Sequence, residues 1–282
     1  MSLAEQIGVK IPDILLPIPE INLQKWAVIA CDQFTSQPDY WQQVSDFVGD
    51  APSTLHMILP EVWLNSPDVD MRIRRTQEAM QQYLSKGLLA GQPGMILVER
   101  EASGKTRTGL MLALDLEAYD YHRGSQTLIR ATEGTILERL PPRMHVRRGA
   151  PLELPHILVL YDDPDFSVLA PVLESKANLP ICYDFDLMMD SGHLTGRWVD
   201  QPELLDAVIQ ALASLIAPQT YAQKYHQPEG TAPLLFAVGD GNHSLATAKA
   251  IWEELKPHVG LEHPARYALV EIENLHDPAI QF

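Results

Sequence analysis

Gly239-Asp240-Gly241-Asn242-His243-Ser244 sets a carboxylate, an amide, an imidazole and a hydroxyl in one short run punctuated by glycine. A carboxylate beside an imidazole suits proton transfer or metal ligation. The glycines suit a turn whose backbone bends sharply or is approached closely. The apolar residues Leu234 to Val238 lead in and fit a buried strand. Leu245, Ala248, Trp252 and Leu255 then fall at i, i+3, i+7 and i+10, one stripe of an amphipathic helix. The segment reads as strand, tight turn and helix. Such a turn aims the first free N–H groups of a helix, at the positive end of its dipole, toward whatever sits above it. The chemistry on offer is a grip on phosphate or another anion, with a proton acceptor beside it. The same residues also describe an ordinary capped turn, because Asn and Ser commonly precede helices and Asp-Gly is a frequent turn pair. Both readings stand.

A second cluster of charged residues lies upstream. Arg130, Arg139, Arg143, Arg147 and Arg148 fall within 19 residues, a cationic island in an acidic chain. Guanidinium forks match phosphate and carboxylate geometry, so the island is a candidate anion clamp. A surface loop that balances nearby acids would look the same. Cys31-Asp32-Gln33 closes the apolar run Trp26 to Ala30, read as a buried strand, and strand ends of this kind carry ligand contacts in α/β proteins. A capped turn is the competing reading. An adjacent carboxylate opposes thiolate formation, which argues against Cys31 as a nucleophile. Asp184 and Asp186 share one face of an alternating strand, where paired acids hold Mg²⁺ in some proteins and form a solvated face in most. His276 and Asp277 would join the site if the strand before them lay beside the one ending at Gly239; alone they describe a turn.

The elements that must position these groups alternate between strands and helices. Helices are expected from Pro38 to Val48, from Pro67 to Gly87, over Phe166 to Lys176, from an Asp200/Glu203 capping box to Ile216, and around Tyr221. Strands are expected over Leu55 to Leu59, Met95 to Glu99, Leu110 to Leu116, His156 to Tyr161, Ile181 to Leu187, His193 to Val199 and Tyr267 to Ile272. Ser103-Gly104-Lys105-Thr106 is a hairpin turn, not a phosphate-binding loop, because Glu99 stands where that motif needs its first glycine and a strand follows where it needs a helix. The pattern predicts a mixed α/β (α+β) fold, a mixed sheet with flanking helices and a strand–turn–helix ligand site.

With 282 residues the chain has room for a single compact domain or two closely packed lobes, with a boundary near residues 150–200. A net charge of −16 argues against nucleic acid as a partner, since phosphate neutralisation needs a basic surface. No stretch is long and apolar enough to span a bilayer, and Pro12, Pro17 and Pro19 interrupt any signal-like N-terminus. The expectation is a cytoplasmic protein with no membrane partner. Two cysteines, Cys31 and Cys182, supply neither a disulfide framework nor a metal-ligand spacing. Oligomeric state is open.

The turn at Asp240-Gly241-Asn242-His243-Ser244 resembles the Asp-Gly-His-His-Arg signature of a bacterial family of uncharacterised proteins, domain of unknown function 1015. Trp26 to Phe34, Arg130 to Arg143 and Asn274-Leu275-His276-Asp277-Pro278 also resemble that family. The signature is in turn similar to the nucleotide-binding turn of the ParB and sulfiredoxin superfamily, which includes an ATP/ADP-dependent free-serine kinase. Asp240, Gly241 and His243 match; Asn242 and Ser244 replace a second His and the Arg that would hold phosphate. Thr132-Glu133-Gly134-Thr135 resembles a His-Glu-x-Thr element, with Thr132 in place of the His, which makes Glu133 a candidate general base. The family's chains continue past the Asp-Pro element, so this chain is expected to lack a C-terminal portion and Phe282 is not read as a natural end.

The resemblance implies an enzyme that binds a nucleotide or phosphate ligand, ATP with Mg²⁺, and transfers phosphate to a small hydroxylated metabolite. Asp240, His243 and Glu133 would do the proton chemistry. Gly239, Gly241, Asn242, Ser244, Arg130, Arg139 and Arg143 would hold a small anionic ligand. Two alternatives remain open: a non-catalytic nucleotide- or metabolite-binding regulatory module, and a metal-dependent hydrolase in which Asp240, His243 and His276 converge on one ion.

Overall fold

A computed structural model describes residues 2–228 and 230–280; Phe282 lies outside them. Twelve strands occur among these residues: β1 (Val9–Lys10), β2 (Asp13–Pro17), β3 (Leu89–Pro93), β4 (Met95–Ala102), β5 (Lys105–Asp115), β6 (Tyr119–Asp120), β7 (Ile129–Ala131), β8 (Leu158–Tyr161), β9 (Ile181–Asp186), β10 (His193–Val199), β11 (Phe236–Asp240) and β12 (Tyr267–Asn274). The helices are α1 (Leu3–Gln6), α2 (Leu23–Trp26), α3 (Pro38–Val48), α4 (Val69–Ser85), α5 (Leu140–Arg147), α6 (Ala170–Glu174), α7 (Pro202–Leu215), α8 (Pro218–Tyr225) and α9 (Asn242–Val259).

Ten strands form one mixed sheet in the order β6-β7-β11-β8-β12-β5-β4-β10-β9, with β1 also on β5, while β2 and β3 pair separately. The fold is therefore α/β with a large mixed sheet flanked by helices. Strands from before and after residues 150–200 interleave in it, β11 pairing with β7 and β12 with β5. The larger core packs Leu110, Leu112, Val159, Phe236, Val238 and Val270 of the sheet against Val208 and Leu212 of α7 and Leu245, Ala248 and Trp252 of α9. Burying such side chains gives roughly 1.5–3 kcal/mol each before chain entropy is set against it. On the other face Ile14 packs with Ile96, Val98 and Trp198, which explains why Met95 to Val98 are buried without alternation.

The strand–turn–helix forms at β11 and α9. Leu245, Ala248 and Trp252 are buried as the stripe requires, and Leu255 is half-buried. In α4, Ile73, Thr76, Met80 and Tyr83 line the buried face, and Gly87 follows at φ 64°.

Three expected elements differ. Trp26 to Ala30 is not a strand: α2 ends at Trp26, capped at its start by the Asn22 side chain, and an irregular segment follows. The backbone partners there are hydroxyls, with Thr54 Oγ1 donating to Trp26 O at 2.7 Å and accepting from Val28 N at 3.3 Å. Leu55 to Leu59 is likewise a 3₁₀ turn over Thr54–Met57, capped by Ser53. These polar partners replace the ladder that both apolar runs suggested. Asp200 makes no capping box; α7 starts at Pro202 without a side-chain cap, and the Asp200 carboxylate accepts from Gln92 Nε2 at 3.1 Å.

Candidate functional site

β7 and β11 run parallel, and β8 runs antiparallel to β11. The C-terminal ends of β7 and β11 and the N-terminal end of β8 thus meet at one edge. The β11–β8 register shifts between Val238 and Asp240, a bulge-like break that frees the strand end from the ladder. Gly241 then turns the chain at φ 80°, and a Cβ there would stand 3.2 Å from the Ile157 backbone. That position needs glycine twice over, for conformation and for space. Gly239 serves by packing: a Cβ would meet Leu160 at 3.1 Å.

The turn is stapled to the segment after β7. Asn242, buried, accepts from Thr132 N at 3.2 Å and donates to Thr132 Oγ1 at 3.3 Å, and Thr132 Oγ1 donates to Val238 O at 2.6 Å. The Asn242 side chain is thereby used up in positioning. Its backbone N–H and those of His243 and Ser244 open α9 and have no partner among the described residues.

Over these amides lies an open cleft of about 610 Å³, within the range of small-molecule sites. Asp240, Gly241, Asn242, His243 and Ser244 form its floor, and Glu133, Glu138, Arg139 and Arg143 one wall. The opposite wall comes from Asp32, Gln33, Thr35, Glu61, Leu64 and Asn65. The irregular backbone around Cys31 makes this wall, because Cys31 O accepts from Glu61 N at 2.8 Å and ties the two segments together.

Arginine placement divides the cationic island. Arg139 lines the cleft without a carboxylate partner among the described residues. Arg143 lines it too, with Nη2 on Glu61 at 2.5 Å and Nη1 on Arg139 O at 2.9 Å. Arg130 points elsewhere: it donates to Thr127, Ala232 and Pro233 carbonyls and braces the loop before β11. Arg147 pairs with Glu153 and Arg148 with Glu254. Two guanidinium groups therefore face five carboxylates, those of Asp32, Glu61, Glu133, Glu138 and Asp240. A bare anion would meet repulsion from these carboxylates.

His243 Nε2 accepts from Ile136 N at 3.3 Å, which puts the ring proton on Nδ1, 3.7 Å from Glu133 Oε1. Desolvation, then the nearby Arg143, hold its pKa below the ordinary value, so the neutral ring is favoured. With its acceptor nitrogen already engaged, His243 steadies the Glu133 segment. Asp240 Oδ1 accepts from Gly241 N at 2.8 Å, and its other oxygen has no partner among the described residues.

Sequence reading missed two groups. Glu61 belongs to no motif, and His156 looks in sequence like no more than the start of a strand. His156 Nε2 lies 2.7 Å from Ser244 Oγ and 3.9 Å from Asp32 Oδ2. The Cys31 thiolate is disfavoured: burial, then the Asp32 and Glu61 charges, push its thiol up to about 12.

The three-residue ion site of the hydrolase alternative does not form. Asp240 is paired with Leu158 at the start of β8, while β12 runs parallel to β8 and reaches its end at Tyr161 before His276. His276 therefore lies at the opposite edge of the sheet, on Asp162 at 2.7 Å. Among the described residues no three His, Cys, Asp or Glu side chains cluster as ligands for a metal ion. Asp184 and Asp186 both hold His193, at 2.6 and 2.7 Å, on an exposed face. No helix among the described residues is long and apolar enough to cross a membrane.

A family model described as "Protein of unknown function (DUF1015)" matches residues 15–282. No curated protein and no solved structure matches.

Proposed function

We propose that this chain, which belongs to the family of proteins of unknown function DUF1015, binds a phosphorylated small molecule, a nucleotide with Mg²⁺, and transfers a phosphoryl group to a small hydroxylated metabolite. One observation carries the reading: the unpartnered amides opening α9 share a cleft with the guanidinium groups of Arg139 and Arg143. Phosphoryl transfer asks mainly for positioning and charge stabilisation, and this donor set supplies both. The likeness of the Asp240–His243 turn to the ParB and sulfiredoxin signature is what singles out a nucleotide among phosphate ligands.

Mg²⁺ keeps several waters and is commonly held by one or two carboxylates plus substrate phosphates. Asp240 and Glu133, which both line the cleft, fit that role without a preformed cage. The ion would neutralise phosphate charge against the acid-rich wall. Arg139 and Arg143 would fix the phosphate, and the free Asp240 oxygen or Glu133 would accept the proton of the acceptor hydroxyl. Arg130 stays outside this scheme, as a brace of the loop before β11.

Mixing the protein with ATP, Mg²⁺ and a panel of hydroxy amino acids, and reading nucleoside diphosphate, tests the proposal. Diphosphate that depends on one acceptor supports it. Calorimetric ATP binding without product favours the second reading, a non-catalytic regulatory module. The specific observation behind that reading is Ser244, which leaves the first turn of α9 without the phosphate-holding Arg of the wider signature.

A further inference from the structure

Ser244 is the third residue of α9, beside the unpartnered amides of Asn242 and His243, and its side chain lines the cleft. Its Oγ lies 2.7 Å from His156 Nε2. His156 Nδ1 has no partner among the described residues, and in the tautomer that carries its proton on Nδ1 the Nε2 atom accepts from the serine hydroxyl. Asp32 Oδ2 stands 3.9 Å from that same nitrogen. A hydroxyl within hydrogen-bond distance of an imidazole and set among free backbone donors is the core of an activated nucleophile, with Asp32 near the shared nitrogen and not on the far one.

We infer that Ser244, with His156 as its general base, is a covalent nucleophile that takes a phosphoryl group from an anhydride or ester donor. The inference rests on the reading of this cleft as a phosphoryl site and adds a two-step route to it. In the first step Ser244 Oγ bonds to phosphorus, the bond from phosphorus to the leaving oxygen breaks with its electron pair, and the serine proton passes to His156 Nε2. The leaving oxygen then takes that proton. In the second step the acceptor hydroxyl bonds to phosphorus, Oγ departs with its pair, and the acceptor proton returns through His156 to Ser244. Backbone N–H groups of Asn242 and His243 hold the phosphoryl oxygens in both steps. No oxidant or reductant is required.

Diisopropyl fluorophosphate tests the nucleophile without any nucleotide: Oγ bonds to phosphorus, fluoride leaves, and the proton passes through His156 to water. The expected result is one diisopropylphosphoryl adduct, mapped to Ser244 by peptide mass and lost in S244A. H156A should slow labelling by about 100-fold, the scale of a general base, and added imidazole should restore part of the rate. H156Q, which keeps a hydrogen-bonding group but no base, covers the case in which H156A fails to fold. No adduct at Ser244, or equal labelling rates in wild type and both His156 variants, overturns the inference. ATP-dependent product with no adduct would sink the covalent route and leave direct transfer standing. A His156-dependent adduct without ATP binding would retain the nucleophile and remove the nucleotide.

Discussion

Arg143 Nη2 and Glu61 Oε2 meet at 2.5 Å across 82 residues of sequence, with both side chains largely shielded from solvent. The pair joins the helical wall of the cleft to the irregular wall, so one contact both shapes the cavity and occupies one of its two guanidinium groups. Removing the carboxylate charge while keeping the shape should release Arg143 for phosphate. E61Q is expected to bind Mg-ATP several-fold more tightly and with steeper salt dependence, while R143A should weaken binding about tenfold or more. Calorimetry at two salt concentrations checks both. Weaker binding in E61Q would mean that the pair positions the ligand and does not compete with it.

Asn242 exchanges three hydrogen bonds with Thr132 and Val238 while buried. N242A would leave the Thr132 amide without its acceptor, at a cost of about 1–3 kcal/mol. Urea unfolding should show a lower midpoint at unchanged slope. If ligand binding vanished with no change in midpoint, Asn242 would be a ligand contact and not a staple.

The turn was legible from sequence because its signals are local. An apolar run, a glycine at the bend and a helical stripe each concern neighbouring residues, and β11, Gly241 and α9 follow from them. Trp26 to Ala30 misled because its backbone partners, Ser53 and Thr54, lie far along the chain. The same limit hid the site's membership. Arg130 and Arg139 look alike in sequence, and only the carbonyls of Ala232 and Pro233 show that the first is a brace. His156 finds Ser244 across 88 residues, a distance no motif spacing encodes. Pairing of β12 beside β8, away from β11, was equally invisible and decides that His276 lies elsewhere.

His243 should remain neutral at pH 7. Desolvation and Arg143 lower its pKa from 6.5, so the folded state binds its proton less readily than the unfolded chain does. Its contribution to stability is present above pH 6.5 and is lost as the pH falls through the lowered value. An NMR titration of the ring should show a midpoint below 6.5 that rises in R143A, because a repelling charge has gone. A midpoint at or above 6.5 would mean that neither desolvation nor Arg143 governs the ring.

Glu271 and Glu273 give the opposite slope. Both extend from the same face of β12 toward Arg107, Glu273 at 2.6 Å and Glu271 at 3.4 Å, and Gly109 opposite leaves room that a Cβ would fill. Burial pushes the Glu271 carboxyl up; burial, then the Glu271 charge, pushes Glu273 up to about 8, with Arg107 opposing both shifts and Asp277 adding to the Glu273 shift. Arg100 also faces Glu271 and favours its ionised form. The folded state therefore keeps a proton that the unfolded chain releases near 4.5, and stability must fall as pH rises between those values. The loss should be on the order of 2 kcal/mol, reduced by relaxation around the pair. E273Q fixes the neutral form, so denaturation curves of the variant should lie near those of the wild type at pH 5 and above them at pH 8. Parallel pH dependence in the two proteins would place the proton elsewhere and make Arg107 a sufficient partner for both charges.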